Sequence, residues 1–255
     1  MPVVISLSPD TNSRQTAIDT LRRQLGRVAE RDPFGVIGSG IGAVDACLPG
    51  GGLALGALHE IAPADFRAIP SASGFLLALA SRALCTHSGF LVWPLTPGQR
   101  GAFGEPYAYG LKSFGLDPGR ILIVRCAQAR DAAWAMEEAL RIGAAAVIGA
   151  RERATDLTAT RRFQLAAQRS GTPIFLLRSH DDSRQSAAVT RWRVAALPST
   201  RDRFGLFAEP RWQVALDYAR GGRLGEWVVE WNHAALCLCL SSLLADRAGP
   251  ARRTA

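Results

Sequence analysis

Lysine is almost absent from this sequence. Lys112 is the single lysine among the 30 basic residues of the 255-residue chain, and all the others are arginines. The phosphate-binding loops of nucleoside triphosphatases place a lysine directly after a glycine turn, where it binds the β and γ phosphates. Because the chain contains no Gly-Lys-Thr run, its sequence excludes an ordinary loop of this kind.

The sequence also lacks an apolar run of the roughly 18 to 20 residues that a membrane span requires. Its richest apolar stretch, residues 234–245, contains two serines. Residues 1–6 carry no basic residue of the kind that opens a secretion signal. We therefore expect a cytoplasmic protein that does not enter a membrane.

Cysteine is scarce and its number is odd. The five cysteines are scattered through apolar surroundings, a pattern that does not suit a disulfide framework. Reduced thiols are expected, as in other proteins of the cytoplasm.

What the sequence does contain is enough apolar material for a folded core, with 48% hydrophobic and 20% charged residues. Charge is unevenly distributed. Residues 1–150 carry 13 basic and 12 acidic groups, whereas residues 151–255 carry 17 and 10. A basic second half is compatible with a polyanionic partner, DNA above all, or with an acidic protein.

Short apolar runs alternate with helical patterns through the first two thirds of the chain, which predicts βαβ units and a mostly parallel sheet. We expect an α/β fold with strands near 57–61, 89–93, 120–125, 144–148 and 174–177. Helices are expected at 71–87, 107–114, 131–142 and 156–170, with Asp131 and Asp156 as N-caps. The run Ile-Leu-Ile-Val in 120–125 predicts a strand covered on both faces.

The pattern changes after Arg178. Residues 189–197, 211–218 and 226–231 alternate with a period of two, which predicts antiparallel strands that extend the parallel sheet. In the second of these strands the alternation places Tyr218 on the same face as Trp212.

Three regions are predicted. Residues 1–32 form an N-terminal helix (Thr16–Glu30) and a linker, and residues 33–232 form the core. Residues 233–255 form an apolar segment and a basic tail, for which we expect a role in partner docking.

A basic patch is predicted in the second half of the chain. Arg191 and Arg193 flank Trp192, so both guanidinium groups emerge from one side of a strand. Pairing with Glu226 and Glu230 on a solvated strand face is the alternative to a site for backbone phosphates. The candidate DNA contacts are Arg191, Arg193, Arg201, Arg203 and Arg211.

The apolar segment after Trp231 either caps the core or binds a partner as a helix in a groove. We favour partner binding, because the sequence predicts that the core closes at Trp231. The candidate docking residues are Leu236, Leu238, Leu240, Leu243 and Leu244.

Other chemistry has weaker support in the sequence. His233, Cys237 and Cys239 form a partial metal set without a CxxC pair, so packed cysteines are the preferred interpretation. Cys85 and His87 are two residues apart, which on a helix points them away from each other. No G-x-S-x-G elbow is present.

The glycine-dense segment 38–56 is the most specific feature of the chain. This segment and the strand that follows it, which ends at Glu60-Ile61, resemble the entry to the core of RecA-type recombinases. The residues that carry the resemblance are Ser39-Gly40, Val44-Asp45, Leu48 and Gly50-Gly-Gly-Leu53. Over residues 16–232 the chain is similar to a narrower group, the ImuA family of RecA-like mutagenesis proteins. The phrases that carry this resemblance are Leu116-Asp-Pro-Gly-Arg120, Trp134-Ala-Met-Glu-Glu-Ala139, Asp156-Leu-Thr-Ala-Thr-Arg-Arg162, Ser170-Gly-Thr-Pro173, Thr190-Arg-Trp-Arg-Val194, Arg220-Gly-Gly-Arg223 and Trp227-Val-Val-Glu-Trp231.

The resemblance implies a RecA-like three-layer core and a phosphate loop after the strand near residue 61. Residues 62–74 contain no Gly-Lys-Thr. An ATPase also needs acidic residues to bind magnesium and to activate the attacking water, but none is present at the ends of the strands at Leu91–Thr96 and Ala146–Ala150. Glu152 follows two residues late, between two arginines. We therefore expect a degenerate nucleotide site, no cofactor and no ATP hydrolysis.

The resemblance further implies an accessory protein of damage-induced, error-prone translesion synthesis. Its partners would be an ImuB-type homologue of Y-family polymerases, an error-prone DnaE-type polymerase and RecA, with DNA bound directly or through them. Two alternatives remain at this point: a SulA-like inhibitor of cell division, and a recombinase-like ATPase that binds DNA.

Overall fold

The computed structural model describes residues 34–151, 155–199, 201 and 204–241 of the chain. The strands of this part are β1 (Val36–Ile37), β2 (Leu53–Ala54), β3 (Leu58–Pro63), β4 (Leu91–Leu95), β5 (Ile121–Arg125), β6 (Ala146–Ala150), β7 (Ile174–Leu177), β8 (Thr190–Leu197), β9 (Arg211–Ala219), β10 (Gly225–Asn232) and β11 (Cys237–Leu240).

The helices of the same part are α1 (Gly42–Asp45), α2 (Ile69–Thr86), α3 (Pro97–Phe103), α4 (Ala108–Ser113), α5 (Ala129–Arg141) and α6 (Leu157–Ser170). Short 3₁₀ turns are present at Pro49–Gly51, Phe66–Ala68 and Pro118–Arg120.

Strands β3 to β11 form one nine-stranded sheet in the order β11-β10-β9-β8-β3-β7-β6-β4-β5. The six strands from β5 to β8 are parallel, and β8, β9, β10 and β11 pair antiparallel in sequence. Helices cover both faces of the parallel part, so its central strands are apolar runs with little alternation. The predicted RecA-like α/β core with an antiparallel extension is confirmed.

The sheet and the helices on its two faces form three layers. On one face Phe75 of α2 contacts Trp192 and Trp212, with ring centroids 5.6 and 6.4 Å apart. A Cβ on Gly74 would lie 2.8 Å from the Trp212 ring, so glycine is needed for this close packing. On the other face α5 and α6 bury Leu140 and Phe163 completely. The carboxyl ends of the parallel strands therefore meet at one edge, between the two helical layers.

Helix ends follow local sequence signals. Asp156 caps α6 by accepting a hydrogen bond from the Ala159 amide, as predicted, and α6 ends at Gly171 in the left-handed conformation. The predicted cap of α5 is different. Gln128 is its N-cap, and Asp131 is the third helical residue, whose carboxylate accepts from the Gln128 amide.

The prediction that residues 120–125 form a strand covered on both faces is wrong. β5 is the outermost strand of the sheet, next to β4 only, and Leu122 is 53% exposed. Strand order is a tertiary property, so the apolar run alone did not distinguish an edge strand from a central one.

The helix expected in the segment after Trp231 is also absent from the described residues. Cys237–Leu240 form β11, which pairs with β10 through Leu238 opposite Trp231. Leu238 is 2% exposed and joins the main core. The core is therefore closed by β11 and not by Trp231 as the sequence suggested.

One helical stretch, Phe66–Thr86, is long and apolar enough by length and composition to cross a membrane. It contains α2, and 61% of its most apolar window is buried against the sheet, which is the environment of a core helix. Several predictions concern residues that the structure does not describe: the helix Thr16–Glu30, Glu152, Arg203, Leu243, Leu244 and the basic tail. The division of the chain at residues 32 and 232 stays a prediction.

Candidate functional site at the carboxyl ends of the parallel strands

The connection from β3 to α2 lies where a RecA-type core carries its phosphate loop. Here it is a short 3₁₀ turn at Phe66–Ala68. The Asp65 carboxylate accepts a hydrogen bond of 3.0 Å from the Ala68 amide, and the Ala64 amide donates to the Val194 carbonyl on β8 at 2.8 Å. A phosphate loop instead directs such amides at the phosphates. Two of the amides of this connection are therefore bound within the protein, one of them by an anion.

The glycines 50–52 do not form a phosphate cradle either. Gly50 and Gly51 have φ angles of 70° and 80° and make the turn that leads into β2. A Cβ on Gly52 would lie 2.7 Å from the Ile37 carbonyl oxygen, so glycine permits the pairing of β1 with β2.

A cleft of about 180 Å³ opens at the ends of β4, β6 and β7, beside the first turns of α2. Most of its surface is apolar, although RecA-type enzymes hold acidic residues at these strand ends. Thr96, which follows β4, is buried and caps α3 by accepting from the Gln99 amide. The lining residues are Ser73, Leu76, Leu77, Trp93, Leu95, Gln99, Gly104, Glu105, Pro106, Ile148, Gly149, Ala150 and Leu177.

The charged rim of this cleft is Glu105. Its carboxylate accepts two hydrogen bonds from Arg125, at 3.0 and 2.8 Å, and a longer one from Arg100. These contacts, Arg125 foremost, hold the pKa of Glu105 below its usual value. The carboxylate is thus ionised and paired at neutral pH, and the cleft itself offers an apolar wall with few polar groups.

A buried charge cluster lies beside the cleft. Glu60 of β3 is completely buried, and three guanidinium groups surround its carboxylate: Arg151 at 3.2 Å, Arg178 at 3.3 Å and Arg191 at 3.4 Å. Arg151 follows β6 and Arg178 follows β7. The ionic contacts therefore connect the ends of three parallel strands with β8.

Asp182 extends the cluster. Burial acts to raise the pKa of Asp182, but hydrogen bonds from Arg184 and the charges of Arg151 and Arg178 outweigh it and lower the value to about 2. Arg151 also donates to the Arg184 and Gln185 carbonyls, at 3.2 and 2.7 Å. Burial lowers the pKa of Arg151. Because every group has an ionic or main-chain partner, the arrangement fixes the segment after β7 against the sheet.

The sequence reasoning missed this cluster. Glu60 ended an apparently apolar strand, and nothing in an arginine-rich sequence separates buried arginines from exposed ones. The available signal was Glu60 itself, since an acidic residue within a buried strand needs a partner.

The structure separates the predicted DNA-contact residues. Arg193 forms a two-point ion pair with Asp217, at 2.9 and 3.0 Å. The Arg211 side chain pairs with Glu230 at 2.9 Å, which is a partner that the alternative interpretation named, but it is only 6% exposed and not on a solvated face. Arg201 lies over the Phe207 ring at 4.8 Å. Arg193 and Arg211 are thus engaged in ion pairs, Arg203 is outside the described residues, and DNA contact by these arginines stays a prediction.

The predicted docking leucines do not share one surface. Leu238 is buried in the core and cannot contact a partner, whereas Leu236 and Leu240 are 43% and 49% exposed. Leu236 also has a φ of 49°, in the left-handed region. Leu243 and Leu244 lie beyond the described residues.

The weaker candidates take structural roles. His233 Nε2 lies 3.5 Å from the Glu209 carboxylate, and the sulfurs of Cys237 and Cys239 are 3.6 Å apart on β11. Among the described residues no group of three or more His, Cys, Asp or Glu side chains could hold a metal ion. Cys85 is exposed, and the Nδ1 atom of His87 shares a hydrogen bond with Thr86.

Comparison with known proteins gives sequence relatives that align with most of the chain. No family model matches the chain. Protein ImuA of Caulobacter vibrioides, from strain NA1000 and from strain CB 15, is 34% identical over 235 residues. The alignment covers 85% of this chain and 93% of each relative. With similarity of this extent along nearly the whole length, the chain belongs to the ImuA family.

Proposed function

We propose that this protein is an accessory factor of damage-induced, error-prone translesion synthesis in the cytoplasm. It works by binding other proteins, namely an ImuB-type homologue of Y-family polymerases, an error-prone DnaE-type polymerase and RecA. Membership of the ImuA family supports this assignment.

We further propose that the protein does not hydrolyse ATP. The observation that carries this proposal is the Asp65 carboxylate, which accepts the Ala68 amide at the phosphate-loop position. A negative charge there repels a phosphate group. The cation in residues 62–74 is Arg67, whose rigid guanidinium rarely replaces the compact lysine ammonium of a phosphate loop. The apolar ends of β4 and β6 supply no carboxylate for magnesium.

The surface that replaces the nucleotide site suits protein contacts. We define the carboxyl-end surface as the cleft together with Phe66 and Tyr107, which are 71% and 69% exposed. Phe66 lies in the turn that leads into α2, and Tyr107 directly follows Pro106 of the cleft lining. Large exposed aromatic side chains are typical of protein interaction sites, where they supply much of the binding energy.

The test is affinity capture with the full chain from DNA-damaged cells of the source bacterium, followed by mass spectrometry. We expect the ImuB-type protein, RecA or the error-prone polymerase. Phe66→Ala combined with Tyr107→Ala should reduce their recovery at least about tenfold if these residues anchor the contact. Trp134→Ala is the matched control, because Trp134 is 64% exposed but lies on α5, away from the cleft.

Recovery of the division-ring protein alone would overturn this proposal in favour of a SulA-like inhibitor. ATP turnover by the purified chain, with or without single-stranded DNA, would overturn the non-catalytic part.

A further inference from the structure

A basic groove of about 600 Å³ lies between α6, the segment before β8 and the adjoining ends of β8 and β9. Three arginines line it, Arg161, Arg191 and Arg220, and no carboxylate does. Arg161 and Arg220 are exposed, and neither has a carboxylate within 4 Å among the residues that the structure describes. The other lining residues are Leu157, Gln164, Leu165, Gln185, Ser186, Ala187 and Tyr218.

A β-bulge brings an aromatic ring into this groove. The pairing of β8 with β9 shifts between Arg191 and Trp192: Arg191 lies opposite Tyr218, and Trp192 lies opposite Leu216. Asp217 is thereby skipped, so Tyr218 moves to the arginine face and not to the face of Trp212 that simple alternation predicts. The Arg191 guanidinium lies 5.6 Å from the centre of the Tyr218 ring, which remains 40% exposed.

Two of the arginines are held in place from beneath. Arg191 donates to the Ser186 carbonyl at 3.3 Å, and Arg220 donates to the Ala187 carbonyl at 3.2 Å. The segment itself is fixed, because the Ala187 amide donates to the Thr160 hydroxyl of α6. Guanidinium groups oriented in this way lose little further freedom when they bind an anion.

The charge beneath the groove favours an anion as well. Arg191 belongs to the buried cluster, in which four arginines face only two carboxylates, Glu60 and Asp182. The cluster itself therefore carries an excess of positive charge, and low surrounding polarity strengthens its attraction for an anion.

We infer that this groove binds single-stranded nucleic acid. Arg161 and Arg220 contact successive phosphates, and a base stacks on the exposed part of Tyr218, beside the planar guanidinium of Arg191. Arginines that follow a backbone and an aromatic platform for bases are the two elements of sequence-tolerant single-strand binding. An acidic peptide would use the arginines but not the platform. This inference rests on the proposed function, since translesion synthesis operates on single-stranded template.

The test uses the full chain and a fluorescent oligothymidylate of about 20 nucleotides, with anisotropy measured over a range of salt. Arg161→Ala combined with Arg220→Ala should weaken binding at least about tenfold and lower the salt slope by about 1.4, because each single-strand phosphate contact contributes about 0.7. The matched control is Arg130→Ala with Arg141→Ala, two exposed arginines of α5 that make the same change in net charge. The control should stay within about twofold of the parent chain.

Tyr218 is tested by two substitutions. Tyr218→Ala should weaken binding about fivefold or more, whereas Tyr218→Phe keeps the ring and should bind like the parent. Circular dichroism and the melting temperature establish that each variant is folded, and the single changes Arg161→Gln and Arg220→Gln replace the double variant if it is not.

Three results would overturn the inference: no binding of the oligonucleotide at low salt, equal losses in the groove and control variants, or equal competition by polyglutamate. The proposed function fails separately. If the chain binds the oligonucleotide but captures no polymerase partner, the groove inference stands and the proposed function is refuted. If it captures a partner but does not bind the oligonucleotide, only the groove inference is refuted.

Discussion

Glu60 and Arg151 are 91 residues apart in the sequence, yet Oε1 of Glu60 accepts a hydrogen bond of 3.2 Å from Nη1 of Arg151. Neither side chain has any exposed surface. The strands that carry them are not neighbours, because β7 lies between β3 and β6. The Arg151 side chain thus reaches past β7 and connects the end of β6 with the middle of β3. Such a pair is costly to desolvate, and removal of one partner is strongly destabilising because it leaves a buried charge unpaired.

Replacement of Glu60 should therefore be strongly destabilising. Glu60→Gln keeps the shape of the side chain but leaves Arg151, Arg178 and Arg191 without their common counter-charge. We expect a loss of about 3–5 kcal/mol in the free energy of unfolding, measured by urea titration. Glu105→Gln is the control, since this carboxylate is 41% exposed and solvent screens its ion pair, so the loss should be much smaller. Equal losses in the two variants would contradict the conclusion that the buried cluster stabilises the fold.

The free energy of unfolding should decrease as the pH is lowered, because of His59. This buried imidazole donates from Nε2 to the Ala54 carbonyl at 2.9 Å, and Nδ1 accepts from the Thr190 hydroxyl at 2.8 Å. Burial lowers the pKa of His59 from 6.5 to about 4. The unfolded chain therefore binds a proton more readily, so stability is lost as the pH falls from about 6.5 to 4. The loss reaches about 3 kcal/mol.

Urea unfolding at several pH values checks this, with His59→Gln as the comparison. The variant should be less stable overall but should show a flatter pH dependence between 6.5 and 4. Protonation of Asp182 should lower the stability further, but at more acidic pH, as the pH falls from 3.8 towards 2. An unchanged slope in the variant would assign the pH effect to other groups.

Gly52 should not tolerate a side chain. The Cβ of Gly52→Ala would lie 2.7 Å from the Ile37 carbonyl oxygen, which is main chain and cannot move aside cheaply. We expect a loss of about 1–3 kcal/mol in the free energy of unfolding. Gly42→Ala serves as the control, because its added Cβ meets nothing within 4 Å. If Gly52→Ala proved as stable as Gly42→Ala, the close approach of β1 and β2 would be refuted.

The last described strand should be needed for folding. Leu238→Ala removes a buried side chain and should cost about 2–5 kcal/mol, whereas Leu240→Ala, at a half-exposed position, should cost less than about 1 kcal/mol. A chain that stops at Asn232 should be far less stable than one that stops at Ser241, since the Ser241 hydroxyl contacts both Arg211 and Glu230. Thermal unfolding of the two truncations measures the difference. Equal melting temperatures would show that β11 is dispensable.

Local signals predicted the βα alternation well. The strand at Ile174–Leu177 and the helix between Asp156 and Gly171 agree with the structure, because an apolar run bounded by turn residues and a capped amphipathic run are encoded over a few residues. The segment 237–240 was harder. Its run Cys-Leu-Cys-Leu has no polar alternation, and pairing with β10 decides that it is a strand.

The site was predicted mainly through what it lacks. The missing lysine after β3 was visible in the sequence, but the Asp65 cap and the apolar cleft depend on contacts between distant segments. Tyr218 was assigned to the wrong face because one skipped residue in a β-ladder reverses every side chain beyond it. Arg211 and Arg193 looked alike in the sequence, and only their partners, Glu230 and Asp217, distinguish them.

The Asp65 cap also affects how easily point mutations could turn the connection from β3 to α2 into a phosphate loop. Exchange of Asp65 for glycine would remove the helix cap before any phosphate could bind, and a lysine added alone would meet a carboxylate and form an ion pair with it. Each single substitution towards a nucleotide site thus lowers stability or changes nothing, and several would have to occur together. Acquisition of a nucleotide site by this connection would therefore need coordinated substitutions, which selection on single point mutations does not readily supply.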